Sequence, residues 1–174
     1  MNNSESSSYT ISQVGEADSL LLEKIAWLSI IAWHGQPTEE AVATRAKALN
    51  EEIAEAAALS TTFFVARHGD YVVGYVRLKQ CREYPSLFSW EALAVHPDHR
   101  RRGIARELFA RSVEHAKAHW GVAVFSETHL DNEPSIALHR ALGFRELGSF
   151  SAPADGDKKV GFVLPLGTPM VDGE

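Results

Sequence analysis

The stretch Leu93-Ala94-Val95-His96-Pro97-Asp98-His99-Arg100-Arg101-Arg102-Gly103-Ile104-Ala105 is an apolar strand that runs straight into a basic, glycine-containing turn, and the turn opens a helix. The first N–H groups of a helix have no partner four residues back and sit at the positive end of its dipole, so they attract an anion. Gly103 has no Cβ and lets a ligand reach the main chain, while Arg100, Arg101 and Arg102 add cationic charge beside it. That combination suits a diphosphate. Three consecutive arginines also suit a solvated helix entry or the phosphates of a nucleic acid, so the turn alone has several owners. The chain contains no G-x-x-x-x-G-K-[S/T] and no G-x-G-x-x-G behind a strand, which removes support for a nucleoside triphosphate or a dinucleotide.

A second stretch narrows the choice. Glu127-Thr128-His129-Leu130-Asp131-Asn132-Glu133-Pro134-Ser135-Ile136-Ala137-Leu138-His139-Arg140-Ala141-Leu142-Gly143-Phe144 reads as the end of a strand, an asparagine-containing loop and a short helix that leads to another strand. The spacing Arg100-x-x-Gly103-x-Ala105 resembles the Q/R-x-x-G-x-G/A signature of the GNAT superfamily of N-acetyltransferases, with Ala105 where glycine is commoner. The downstream stretch resembles the same family's fifth strand, loop and fourth helix, and the order of elements agrees from about Tyr9 to Leu164. His139, together with Leu130-Asp131-Asn132, is also similar to some aminoglycoside 6'-N-acetyltransferases, a likeness confined to the C-terminal half.

The resemblance implies an α/β fold of the GNAT (acyl-CoA N-acyltransferase) type. Its mixed, mostly antiparallel sheet has about seven strands, with the fourth and fifth parallel and splayed, and about four helices flank it. It implies acetyl-CoA (acetyl-coenzyme A) as the donor co-substrate. Main-chain groups of Leu93, Ala94 and Val95 would pair with pantetheine amides. Arg100, Arg101, Arg102, Gly103, Ile104 and Ala105 would hold the diphosphate, with Asn132 and Ser135 on the cofactor at the later helix. Read without the family, Asn132 is an N-cap, a role compatible with cofactor contact.

Local patterning gives the same order of elements. Tyr9 to Val14 alternates as a first strand, Ala17 to Trp33 has helical spacing, and Thr38 opens a second helix that continues to about Ala58. Thr62–Arg67 and Tyr71–Lys79 are joined by His68-Gly69-Asp70 as a hairpin, and Leu87–Val95 is a central strand. Gly103 to Trp120 presents Ile104, Leu108, Ser112, Val113 and Ala116 along one side. Val122–Thr128, Asn132–Leu142, Phe144–Ser151 and Lys159–Leu164 complete a single domain over 9–166, with a tail at 1–8 expected to be disordered and another at 167–174.

With 174 residues, 45% of them hydrophobic, the chain can bury a core without staples. The single cysteine, Cys81, excludes an internal disulfide and suits a cytoplasmic setting, and it reads as a packing residue rather than a nucleophile. Met1 to Ser8 lacks the basic and apolar regions of a signal peptide, and the most apolar window is shorter than the roughly 20 residues needed to span a bilayer. A net charge of −6 argues against general nucleic-acid binding and is compatible with a cationic substrate. The oligomeric state, a homodimer included, stays open.

Acetylating an amine requires a neutral nucleophile, stabilisation of a tetrahedral oxyanion and protonation of the leaving thiolate. An alkyl ammonium has a pKa of about 10, so a carboxylate in a desolvating site can take its proton. Glu91 and Glu127 each stand where relatives carry the base, and either equally suits a solvated strand residue or an ammonium anchor. His139 occupies the place of the family's usual tyrosine acid. It could donate a proton, or merely line the cofactor while the thiolate leaves unassisted. By the same resemblance Trp33, His34 and Gln36 are substrate-side residues, although Trp33 could simply pack and His34 end a helix. His115 and His119 have zinc spacing but no third ligand, so no metal is expected. The leading expectation is an acetyl-CoA-dependent N-acetyltransferase acting on a primary amine of a small molecule by direct attack on the thioester. The alternatives are a non-catalytic acyl-CoA-binding module and an acetyltransferase of protein N-termini or lysines.

Overall fold

The computed structural model describes residues 9–14, 19–33, 35–59, 61–152 and 156–167. In chain order its elements are β1 (Thr10–Val14), α1 (Ser19–Trp33), α2 (Glu39–Leu59), β2 (Thr61–His68), β3 (Tyr71–Gln80), β4 (Leu87–Val95), α3 (Ile104–Ala118), β5 (Ala123–His129), α4 (Glu133–Ala141), β6 (Arg145–Ser151) and β7 (Lys158–Pro165). The strands form one seven-stranded sheet in the order β1-β2-β3-β4-β5-β7-β6. β1 pairs antiparallel with β2, and β7 antiparallel with both β5 and β6, whereas β4 and β5 run parallel. The expected mixed sheet, its parallel fourth and fifth strands and its four helices are all present. The expected tail at 1–8, residue His34 and most of 167–174 lie outside the described residues.

By contacts the described residues form two compact units, one within 9–77 and 92–111 and the other within 78–91 and 112–167. In the first, α1 is apolar on most of its surface and buries Leu22, Ile25 and Leu28 with Leu49 of α2 and Phe63, Val65, Val72 and Tyr75 of β2 and β3. Each large side chain so buried contributes about 1.5–3 kcal/mol. Thr38 starts α2 by accepting the Ala41 N–H on its hydroxyl at 3.2 Å. Gly69 turns the β2–β3 hairpin at φ +57, as the His68-Gly69-Asp70 reading requires. Gly74 lets α3 lie against the sheet, because a Cβ there would meet Ile104 Cγ2 at 2.8 Å and Leu108 Cδ1 at 3.1 Å.

The second unit buries Phe88, Trp90, Val124, Phe144, Val160 and Phe162, together with the polar residues Ser112, Ser126 and His139. Buried polar groups in such a setting require hydrogen-bond partners, and those of Ser126 and His139 define the site below. Along β6 every residue is exposed.

Candidate functional site

In the first unit the strand-turn-helix reads as its sequence suggests. β4 ends at Val95, the His96 N–H donates to Val73 O at 2.9 Å, and Pro97–His99 makes a single 3-10 turn. The His96 ring caps that turn by accepting the Asp98 N–H at 3.2 Å on Nδ1. Two left-handed residues, Arg101 at φ +58 and Gly103 at φ +85, then swing the chain into α3. A Cβ built on Gly103 has no heavy atom within 4 Å. The space over this residue is therefore open to a ligand, and a side chain placed there would fill it at the cost of a strained backbone.

The arginines of the turn have different neighbours. Arg100 donates from Nε to Val95 O and from Nη2 to Ala32 O, both at 3.2 Å, and so ties the end of β4 to the last turn of α1. A cation there also complements the negative end of that helix. Arg102 donates to Tyr9 Oη at 3.1 Å. Beside it the rings of Tyr9, His68, His96 and His99 gather at centroid distances of 5.4–5.9 Å, and Trp27 stacks on His96. Partial burial, and after it the charges of His96, Arg102 and His68, hold the His99 pKa below the usual histidine value. Of the cofactor candidates here, Ala94 and Ile104 are buried, Leu93, Val95 and Ala105 half-buried, and Gly103 and the three arginines exposed. Trp33 is exposed at 47% and meets Tyr75 edge-on at 6.2 Å, and Gln36 is also exposed.

The second unit holds both glutamates and His139. The parallel ladder between β4 and β5 consists of Leu87↔Ala123, Phe88↔Val124 and Ser89↔Phe125. Phe88 and Trp90 of β4 and Val124 and Ser126 of β5 are buried, so by strand alternation Ser89, Glu91, Phe125 and Glu127 take the opposite face. The two candidate bases thus share one face, and His139 lies on the other, against Trp90 and Phe162. Glu91 is half-buried. The Glu127 carboxylate accepts a hydrogen bond from Lys159 Nζ at 2.7 Å, with the glutamate side chain 51% exposed and the lysine 20%.

His139 is 4% exposed. Its ring stacks on Phe162 at 4.4 Å and meets Trp90 and Phe144 edge-on. Nδ1 is 2.7 Å from Ser135 O and Nε2 is 2.8 Å from Ser126 Oγ, and the Ser126 hydroxyl donates to Trp90 O at 2.9 Å. Burial lowers the His139 pKa from the usual histidine value, opposed by the Ser135 carbonyl. At the start of α4, Asn132 Oδ1 accepts the Ser135 N–H at 3.2 Å, which is the N-cap read from the sequence. The His115 and His119 rings stack at 4.1 Å on α3, and His119 Nδ1 is bonded to His115 O.

Two residues of this site were not singled out from sequence. Ser126 carried a usable signal: in Val124-Phe125-Ser126-Glu127 the two-residue period puts it inward beside a buried valine. Lys159 carried none, because its approach to Glu127 depends on the β5–β7 register, in which Glu127 faces Gly161 and His129 faces Lys159.

Known proteins resemble this chain over parts of its length. N-alpha-acetyltransferase RimI of Mycobacterium tuberculosis is 32% identical over 84 residues, which are 48% of this chain and 51% of that protein. Aminoglycoside N(6')-acetyltransferase type 1 of Acinetobacter genomosp. 13 is 43% identical over 56 residues, or 32% of this chain and 38% of that protein. The chain therefore spans about half or less of the length of these curated relatives. The structure of yncA, a putative acetyltransferase from Salmonella typhimurium with its cofactor acetyl-CoA, superposes with a TM-score of 0.65 at 19% identity, covering 91% of this chain and 94% of that one, a likeness of fold. Residues 27–144, which contain the glycine turn, the strands bearing both glutamates and the helix bearing His139, match the family model described as the acetyltransferase (GNAT) family, and the chain belongs to that family.

Proposed function

We propose that this chain transfers the acetyl group of acetyl-CoA to a primary amine of a small molecule, by direct attack of the amine on the thioester. The observation that carries the reading is Gly103, left-handed and open above the first turn of α3, within a chain of the GNAT family. Backbone N–H groups from Arg101 to Ala105 bind the diphosphate, with the arginines supplying a favourable field. Main-chain groups of Leu93, Ala94 and Val95 bind the pantetheine amides, and Asn132 and Ser135 contribute from α4. Acetyl-CoA supplies an activated acyl carbon and a thiolate leaving group of pKa about 8 to 9 in its thiol form.

Glu91 or Glu127 takes the proton that the ammonium must lose. The amine nitrogen then bonds to the acyl carbon, the carbon–sulfur bond breaks, and the proton that the acylated nitrogen still has to lose passes to the departing thiolate. Both carboxylates lie on one face of β4 and β5, so a single cationic acceptor on that face can reach either. The match to an aminoglycoside acetyltransferase supports a small-molecule amine. The match to an N-alpha-acetyltransferase supports a second reading, acetylation of a peptide N-terminus.

Thiol release from acetyl-CoA, followed with a panel of aminoglycosides, polyamines, amino acids and short peptides, tests the proposal. Release stimulated by an amine is expected, with the best acceptor deciding between small molecule and peptide. Tight cofactor binding without amine-stimulated release would instead favour an acyl-CoA-binding module. Gly103→Glu should abolish cofactor binding in titration calorimetry by steric and charge conflict, and unchanged affinity would remove the diphosphate role.

A further inference from the structure

The paired register of β4 and β5 runs to Ser89↔Phe125, and one residue further on a side chain also joins the two strands. The Ser126 hydroxyl reaches Trp90 O at 2.9 Å, and His139 closes behind it with Nε2 at 2.8 Å from Ser126 Oγ. We infer that Ser126 and His139 are positioning residues, a buried bolt that joins β4 to β5 at this point and so aligns Glu91 and Glu127, the next residue along each strand. The inference rests on the acetyltransferase reading for the use of those carboxylates.

Counting protons separates this role from acid catalysis. The chain Ser135 O, His139 Nδ1, His139 Nε2, Ser126 Oγ, Trp90 O has three links. A carbonyl has no proton to give, so Nδ1 must carry the hydrogen directed at Ser135 O. With a neutral ring Nε2 carries no hydrogen, and the single Ser126 hydroxyl proton goes either to Trp90 O or to Nε2. Both ring nitrogens are then engaged by the protein, and the ring is enclosed by Phe162, Trp90 and Phe144. Neither nitrogen is left to deliver a proton to a departing thiolate. What the ring does is hold Ser126 and anchor α4 to β5 through the Nε2–Oγ contact, while the Ser135 carbonyl, on the same helix, fixes the ring.

Ser126→Ala removes the two links made by its hydroxyl, and His139→Phe removes both ring links while keeping an aromatic ring on Phe162. Each should lower kcat with an amine acceptor roughly five- to tenfold, the size expected for one or two neutral hydrogen bonds. The double variant should be no slower than the worse single one, because the residues act as a unit. The ionisations in the pH–rate profile should all survive in His139→Phe, and nitrogen-15 spectra should show one Nδ1–H tautomer of His139. Loss of an ionisation in His139→Phe, with Ser126→Ala at full turnover, would make the histidine an acid and overturn the inference. Reduced stability with unchanged kcat for the folded protein, or additive losses in the double variant, would overturn it as well. If the parent chain turns over no amine at all, the acetyltransferase reading fails separately. The tautomer and the non-additivity of urea midpoints would then decide whether the bolt exists.

Discussion

Glu127 and Lys159 form a 2.7 Å ion pair in which the carboxylate is half exposed and the lysine largely covered. On the proposed function, an acceptor ammonium at Glu127 shares the carboxylate with Lys159, which already holds one of its oxygens. Exposed charges are screened, so the competition is worth little energy but enough to move an affinity. Lys159→Met is therefore expected to lower KM for a cationic acceptor by about two- to fivefold and to leave KM for acetyl-CoA unchanged. A raised KM for the amine would mean that the lysine orients the carboxylate rather than competing for it. Glu91→Gln and Glu127→Gln, made separately, identify the base as the residue whose loss abolishes the rise of rate with pH. Both glutamates were legible in the sequence through their places on the fourth and fifth strands. Their shared face and the lysine came only with the pairing of β4, β5 and β7, a long-range property that local patterning does not encode.

At the scale of elements, β4 was readable to its ends as Leu87–Val95 because its apolar run is bounded by a turn on each side. Two backbone features were not. Ala92 sits inside β4 at φ +49, a left-handed conformation that nothing about alanine announces. After α3 the left-handed residue is Trp120 at φ +61, although Gly121 follows directly. That glycine serves close approach instead, since a Cβ on it would lie 2.7 Å from Ala116 O. Ala92→Val should cost about 1–3 kcal/mol, because a β-branched residue is strained in this region, whereas Ala92→Gly should be close to neutral. Urea midpoints at constant m-value measure the difference, and equal losses for valine and glycine would show that packing, not backbone conformation, governs the position.

For the whole molecule, the histidines couple stability to pH. His139, His115 and His99 all have pKa values lowered in the folded protein, chiefly by burial. Between each folded value and about 6.5 the unfolded chain binds the proton that the folded chain refuses. Stability is therefore fully present above about pH 6.5 and is lost as pH falls through the folded values. Each such proton contributes a slope of about 1.4 kcal/mol per pH unit where it is fully differential. His139 is the most enclosed of the three, so His139→Phe should flatten the dependence of the urea midpoint between about pH 7 and 5.5 more than replacing His99 or His115 does. The outcome also bears on the proton count at Ser126. If His139→Phe leaves the slope unchanged, the ring takes up its second proton at the same pH in the folded and the unfolded chain, and burial does not oppose its charge. A flattened slope means that the ring is neutral in the folded chain, held at Nδ1 by the Ser135 carbonyl, with the single Ser126 proton going either to the imidazole or to Trp90.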